Sequence, residues 1–401
     1  MDPFESLELI LSKANLVDQE LTNHTEALGR VLSEGLDSKL DIPSYDNSAM
    51  DGYALRYDDL INNKNLKVVG TIKCGDIPLE ITLKEGECYK IMTGAFIPSG
   101  ADSVVEFEKT TCIQNLLKVT GNIARDSNIR KKGEDIKKFD KLPFSGKVIT
   151  PALISRLVST GNFTFNVFRK PKIAIISTGS ELTAPCENFN EFSVIESNSS
   201  YIKESLRRIA VDVVNKGIFK DEFEIISSIF ASCTPYDAIV TIGGISKGDY
   251  DIIKIYGADI GIDWLFNGVD QKPGSPFSFG LYKDIPVFSF PGNPVSSDFC
   301  CFYYLIPFLK KMMGYNNYYN KEAVATLKEN IFKKNNAFTF FNANLAFEKD
   351  RLIAYPYKRL RSNLINSLVN SKGYIMIDKN VGGEISAGNK VKVIFNDIPF
   401  F

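Results

Sequence analysis

Histidine is almost missing from this chain of 401 residues: His24 is the only one, in a polar segment far from the glycine-rich turns described below. That excludes a catalytic triad or a metal centre built on imidazoles. Seven cysteines, an odd number with no CxxC pair, exclude a disulfide framework and a structural zinc site and leave reduced, structural thiols. No stretch supplies the roughly 18 to 20 continuous apolar residues of a membrane span, and the N-terminus lacks a basic region followed by an apolar one. The expected location is the cytoplasm. Charge of one sign is lacking as well, since 47 Lys and Arg meet 48 Asp and Glu for a net charge of −1. No global field therefore points to nucleic acid or an acidic membrane. Neither a GxxxxGKS/T loop nor a GxGxxG fingerprint occurs, which disfavours a P-loop NTPase and a dinucleotide dehydrogenase. The chemistry must run on carboxylates, lysine, hydroxyls, backbone amides or a metal held by oxygen.

What is present is ordinary globular material, 44% hydrophobic and 24% charged, in a chain long enough for two to four domains. Residues 4–36 carry apolar positions at helical spacing, which predicts two helices broken near residues 15–18. Short alternating runs cut by Gly, Pro and Asn predict β structure from about 66 to 147. Thr150-Pro151 reads as a capped helix start, with Gly161 ending the helix. From about residue 170 apolar strands alternate with helices, as in KIAIISTG, SNSSYIKESLRRIA, VDVVNKGIF, DEFEIISSIFASC and DAIVTIGG. That pattern indicates βαβ units. The expected architecture is multidomain α/β. Residues 1–169 hold a helical part (about 1–45 and 148–169) and a β-rich part (about 46–147), 170–314 a doubly wound parallel-sheet domain, and 315–401 a small C-terminal β-barrel.

Strand ends of the α/β domain gather the polar groups: Gly179-Ser180-Glu181, Asp221, Gly243-Gly244 with Ser246 and Asp251, Lys272 with Gly274, and Gly292-Asn293-Pro294 with Ser296. Ligands bind beyond the carboxyl ends of strands in open α/β sheets. Glycines let backbone N–H groups approach an anion, and a following helix start adds partial positive charge, here a helix expected to be capped from Ser296 or Ser297. Glu181, Asp221 and Asp251 follow successive strands, so they either converge on one Mg²⁺ or each caps a helix. Further upstream, DNSAMDGYA either presents Asp51 to a ligand or is a plain turn-rich loop. Thr93-Gly94 marks a turn, and IRKKGEDI, which contains Asp135, has the pattern of a solvated hairpin with ion pairs.

The pieces PSYDNSAMDGYA, IMTGAFIPSGADSVVEFE, IRKKGEDI, KIAIISTGSEL, GGISKGDYD, QKPGSPFSFG and FPGNPVSS, in this order, closely resemble the MoeA/gephyrin family of molybdopterin molybdenumtransferases. They span most of residues 1–315. The resemblance implies an elongated homodimer whose cleft lies between the α/β domain of one subunit and the N-terminal domains of its partner. It implies Mg²⁺-dependent insertion of molybdate into adenylylated molybdopterin with release of AMP, the last step of cofactor assembly, and the molybdopterin adenylyltransferase as a further partner. By motif position the family's functional acids and hydroxyl fall on Asp51, Thr93, Asp135, Glu181, Asp221 and Asp251, with Asp221 and Asp251 on the metal. Its first ligand-facing lysine falls on Lys272 and a matching serine on Ser362; with them, Gly179, Ser180, Gly243, Gly244, Ser246, Gly274, Ser275, Pro276, Gly292, Asn293, Pro294 and Ser296 make up the candidate ligand-binding set. Two positions depart from the pattern: Ser275 stands where the family has a second lysine, and Asn342 where it has an arginine. A tungstate-preferring paralogue, a non-catalytic scaffold and the adenylyltransferase itself are the alternatives. The adenylyltransferase is normally a single domain without the DNSAMDGYA region, so this chain's length argues against it.

Overall fold

The computed structural model describes residues 1–62, 65–77, 81–184, 191–245, 252–357 and 365–395. Its centre is a six-stranded sheet in the order Asp212–Phe219, Lys172–Thr178, Ala238–Ile242, Ile285–Phe290, Ser278–Tyr282 and Ile262–Asn267. The first four strands are parallel, and an antiparallel pair closes the far edge. Continuous apolar strands arise because both faces are covered. Ile173, Ile175, Val240 and Phe288 pack with Ile202, Phe299 and Phe308 on one side, while Ala174, Ile176 and Ile239 pack with Ile226, Phe230 and Ile253 on the other. Helices on both faces make this a doubly wound unit, and its four parallel strands end together at Phe219, Thr178, Ile242 and Phe290.

The N-terminal residues depart from the expected pair of helices. Helix Pro3–Ser12 forms, with the Asp2 carboxylate accepting from Phe4 N and Glu5 N at 2.9 Å each, and it buries Leu7, Ile10 and Leu11. Gln19–Asn23 is instead a strand, antiparallel to Thr164–Phe168. The helical spacing misled because it does not describe one buried stripe: Leu16, Leu21 and Leu28 are exposed, whereas Thr22, Ala27, Val31 and Leu32 are buried. The parts expected to be helical, about 1–45 and 148–169, are therefore a mixed unit of two helices and a two-stranded ribbon. Helix Pro151–Ser159 does start at Thr150, whose hydroxyl accepts from Leu153 N at 3.2 Å.

A second six-stranded sheet carries the Asp51 region, in the order Ser103–Glu106, Gly52–Leu55, Glu87–Ile91, Leu66–Ile72, Leu116–Val119 and Thr110–Ile113. At the other end of the chain, strands Lys321–Leu327, Arg351–Pro356, Phe338–Glu348, Gly373–Ile377 and Lys390–Phe395 pair in a closed ring. Alternation along them serves two cores. Phe341, Ala343 and Ile375 fill the barrel, while Phe338, Phe340 and Tyr374 pack into the α/β core. The barrel is thus fastened to the central domain, and the short strand Gln271–Lys272 pairs directly with Phe338 and Thr339.

Candidate active site

Three turns converge at the carboxyl edge of the parallel sheet. After Ile242 the chain turns through Gly243 and Gly244, both at positive φ (93° and 65°). A Cβ on Gly243 would stand 2.4 Å from the carbonyl oxygen of Thr178 on the neighbouring strand, so only glycine fits. The turn after Phe290 lies against it: a Cβ on Gly292 would be 3.8 Å from the Gly243 Cα. Gly274, in the turn that follows Lys272, packs on the same helix start, its hypothetical Cβ 3.6 Å from Ser296 O and 2.9 Å from Cys300 Sγ.

The helix itself begins one turn earlier than expected. It spans Pro294–Cys300 with Asn293 as its N-cap residue and Pro294 in its first turn, so neither Ser296 nor Ser297 caps it. The Ser297 hydroxyl donates instead to Pro291 O, tying the turn to its own helix. Asn198, at the start of helix Asn198–Arg207, donates to Gly292 O at 2.7 Å. Motif reading missed this residue. Its signal, Ser197-Asn198-Ser199 opening a helix after an exposed strand, shows only that a helix starts there.

Lys272 and Ser275 are exposed, and Ser275 O accepts from Val269 N at 2.9 Å. Pro276 O accepts from the Ser278 hydroxyl at 3.1 Å. Gly179 follows Thr178 at φ 152°, and Ser180 and Glu181 after it are exposed, with both Glu181 carboxylate oxygens 2.9 Å from where a Gly179 Cβ would be. Asp221 follows strand Asp212–Phe219, half-buried. Thr178 adds a buried hydroxyl without a hydrogen-bond partner among the described residues at this edge. Asn342 is 5% exposed and its Nδ2 also lacks a partner among the described residues. It lies on the barrel strand that faces the α/β domain with Phe338 and Phe340. Ser246, Asp251 and Ser362 lie outside the described residues.

The N-terminal residues form a separate group. Antiparallel register sets Gly52 opposite Ile91, which brings Asp51 beside Thr93 although 42 residues separate them. One Asp51 oxygen accepts from Thr93 N at 2.7 Å and from Thr93 Oγ1 at 2.8 Å. These bonds, the backbone one foremost, hold the Asp51 carboxyl below its ordinary range, so it stays ionised near neutral pH. Gly52 is obligatory here, because a Cβ would fall 2.0 Å from Val105 O. Asp135 faces Arg156 Nη1 at 3.6 Å, and Lys131 and Lys132 pair with Asp46 and Asp41. The expected ion-paired hairpin is therefore a turn folded against residues 41–47, with Asp135 N donating to Ile42 O at 3.0 Å.

Among the described residues no three His, Cys, Asp or Glu side chains gather to hold a metal. No helix there is long and apolar enough to cross a membrane.

Comparison with known proteins adds what geometry alone lacks. Residues 1–161 match the MoeA N-terminal region (domain I and II), 174–311 a probable molybdopterin binding domain, and 324–395 the MoeA C-terminal region (domain IV). A molybdopterin molybdenumtransferase from Haemophilus influenzae is 30% identical over 382 residues, 93% of either chain. The chain belongs to the MoeA family of molybdopterin molybdenumtransferases. As a MoeA-family member it is a transferase enzyme of molybdenum cofactor biosynthesis. A second molybdopterin molybdenumtransferase, from Staphylococcus epidermidis, is also 30% identical, covering 98% of this chain and 95% of its own. The crystal structure of a molybdopterin biosynthesis MoeA protein from Pyrococcus horikoshii OT3 superposes with a TM-score of 0.83 at 27% identity, covering 99% of this chain and 100% of that one. The MoeA-family fold thus extends over all the elements described above.

Proposed function

We infer that this MoeA-family chain transfers molybdate to adenylylated molybdopterin and releases AMP. The observation that carries this reading is the convergence of the Gly243, Gly274 and Gly292 turns at one sheet edge, with exposed Lys272 on the third strand connection. Molybdate and the substrate's phosphates are all anions, so bringing them together requires fixed donors. Backbone N–H groups of these turns and the Lys272 ammonium would supply them. Because the turns are locked by Asn198 and Ser297, their dipoles need little reorganisation as charge shifts to the departing AMP.

The donor set suits Mg²⁺, which takes one or two carboxylates and fills its remaining positions with water and phosphate oxygens. Asp221 and Asp251 would hold it, with Glu181 on the adjacent strand end. When bound, the ion would polarise the phosphoanhydride. Asp51, Thr93 and Asp135 would complete the cleft from a second copy of the chain in a homodimer. In support, Asp51 and Thr93 bond to each other at an exposed edge, leaving Asp51 ionised. The adenylyltransferase that makes the substrate would be a transient partner.

The oxyanion itself would sit among hydrogen-bond donors rather than at a second lysine. Ser275 replaces that lysine, and the Asn342 Nδ2, without a partner among the described residues, is a neutral donor where the family has an arginine. This weaker positive field lowers the affinity for molybdate and tungstate alike, since the two oxyanions carry the same charge. Ser275→Lys is expected to tighten molybdate binding about fivefold to tenfold, the worth of one added charge near a partly exposed anion. Titration calorimetry checks this, and an unchanged dissociation constant would remove Ser275 from the oxyanion pocket. Oxyanion-dependent release of AMP from adenylylated molybdopterin tests the function as a whole.

A further inference from the structure

Helix Pro294–Cys300 carries a carboxylate where a carboxylate is costly. Asp298 is 6% exposed and sits beside Phe299, Cys300 and Cys301, all buried. Burial raises its pKa, and two hydroxyl donors oppose the rise. One donor is Tyr201, in the first turn of helix Asn198–Arg207; the other is Tyr374, on barrel strand Gly373–Ile377. Three separate segments therefore meet on one side chain. A leucine there would fill the space without the desolvation penalty, and packing alone would hold the helix in place. What two hydrogen bonds add is direction, since they fix the rotation of the helix about its own axis.

That rotation matters because of what lies four residues upstream. The same helix begins at the Asn293-Pro294 turn, and Asn198, three residues before Tyr201, holds Gly292 O at 2.7 Å. The barrel reaches the neighbouring turn independently, since Lys272 pairs with Thr339. Gly274 then packs on Ser296 O and Cys300 Sγ. Beside the Asp298 contact the two domains are parted by a cavity of about 760 Å³, lined by Glu204, Arg207, Phe302, Leu368 and Lys372. Beside that cavity the domains meet through the Phe299 and Phe302 rings packed on Tyr374 and through the Tyr374–Asp298 hydrogen bond.

We propose that Asp298, bridging Tyr201 and Tyr374, is a positioning residue: it locks the C-terminal barrel to the α/β domain so that the 272–276 and 292–296 turns face one oxyanion together. Its role for the oxyanion rests on the function inferred above, whereas the lock itself does not. The barrel thereby has a task beyond contributing surface, because it orients a turn that belongs to another domain.

Tyr374→Phe removes one hydroxyl and keeps the ring packed edge-to-face on Phe299 and tilted on Phe302. The Michaelis constant for molybdate is expected to rise about tenfold with kcat within about twofold, the factor commanded by one lost buried hydrogen bond. Asp298→Asn, which keeps shape and one accepting oxygen, should give a smaller rise in the same constant. Hydrogen–deuterium exchange supplies a readout that needs no substrate: amides of 292–297 and 272–276 should exchange about tenfold faster in Tyr374→Phe, with those of strand Lys172–Thr178 unchanged. A purely structural tyrosine would lower the melting temperature and leave both the constant and this local pattern as in the wild type, which would overturn the proposal. Should the wild type release no AMP, the inferred function fails and the exchange pattern alone decides whether the lock exists.

Discussion

Asp221→Ala should slow AMP release at saturating oxyanion by about 10²-fold, since one lost carboxylate forfeits roughly 3 kcal/mol of what a bound metal contributes to the transition state. The residue sits half-buried between strand Asp212–Phe219 and helix Phe223–Ala231. The helix already has Glu222 at its N-cap position, without a side-chain cap bond. Raising Mg²⁺ should restore part of the rate, because a weakened site still fills at high ion concentration. Wild-type turnover in this variant would remove Asp221 from the metal site.

Gly52→Ala is expected to cost about 3 kcal/mol of stability in the Asp51 region, the upper range for forcing atoms into a packed interior. A methyl group 2.0 Å from Val105 O has no side chain to displace, only the backbone of the adjacent strand. For a unit of about 100 residues, that lowers its unfolding transition by roughly 12–24 °C in a calorimetric scan. Because Gly52 sets the register that brings Asp51 to Thr93, activity should fall with stability even at temperatures where the variant is folded. An unshifted transition would show that the strand pair tolerates separation.

The α/β domain was legible in the sequence because its signals are local. Continuous apolar strands ended by glycine turns indicate a sheet edge before any contact is known, and the Gly243 and Gly292 turns fall there. Residues 19–23 were not legible: a ribbon formed with a segment 140 or so residues downstream overrode a helical spacing that tertiary burial does not follow. The start of helix Pro294–Cys300 was misjudged by one turn, since a proline at the first helical position competes with serines as a start signal. Residue pattern left Asp51 between a ligand-presenting loop and a plain turn and Thr93 at a turn; resemblance gave both a role, and their contact follows from strand register, which spacing does not reveal. Asp298 gave no sign at all. An aspartate after two serines looks like an ordinary first-turn acid, and only the fold brings Tyr201 and Tyr374 to it.

The account stands most directly on a single measurement: AMP released from adenylylated molybdopterin by the purified chain in Mg²⁺, with and without molybdate or tungstate. Release that requires both the ion and an oxyanion, at a rate that saturates with oxyanion concentration, is the predicted result. No release with either oxyanion, or release that ignores them, would contradict it.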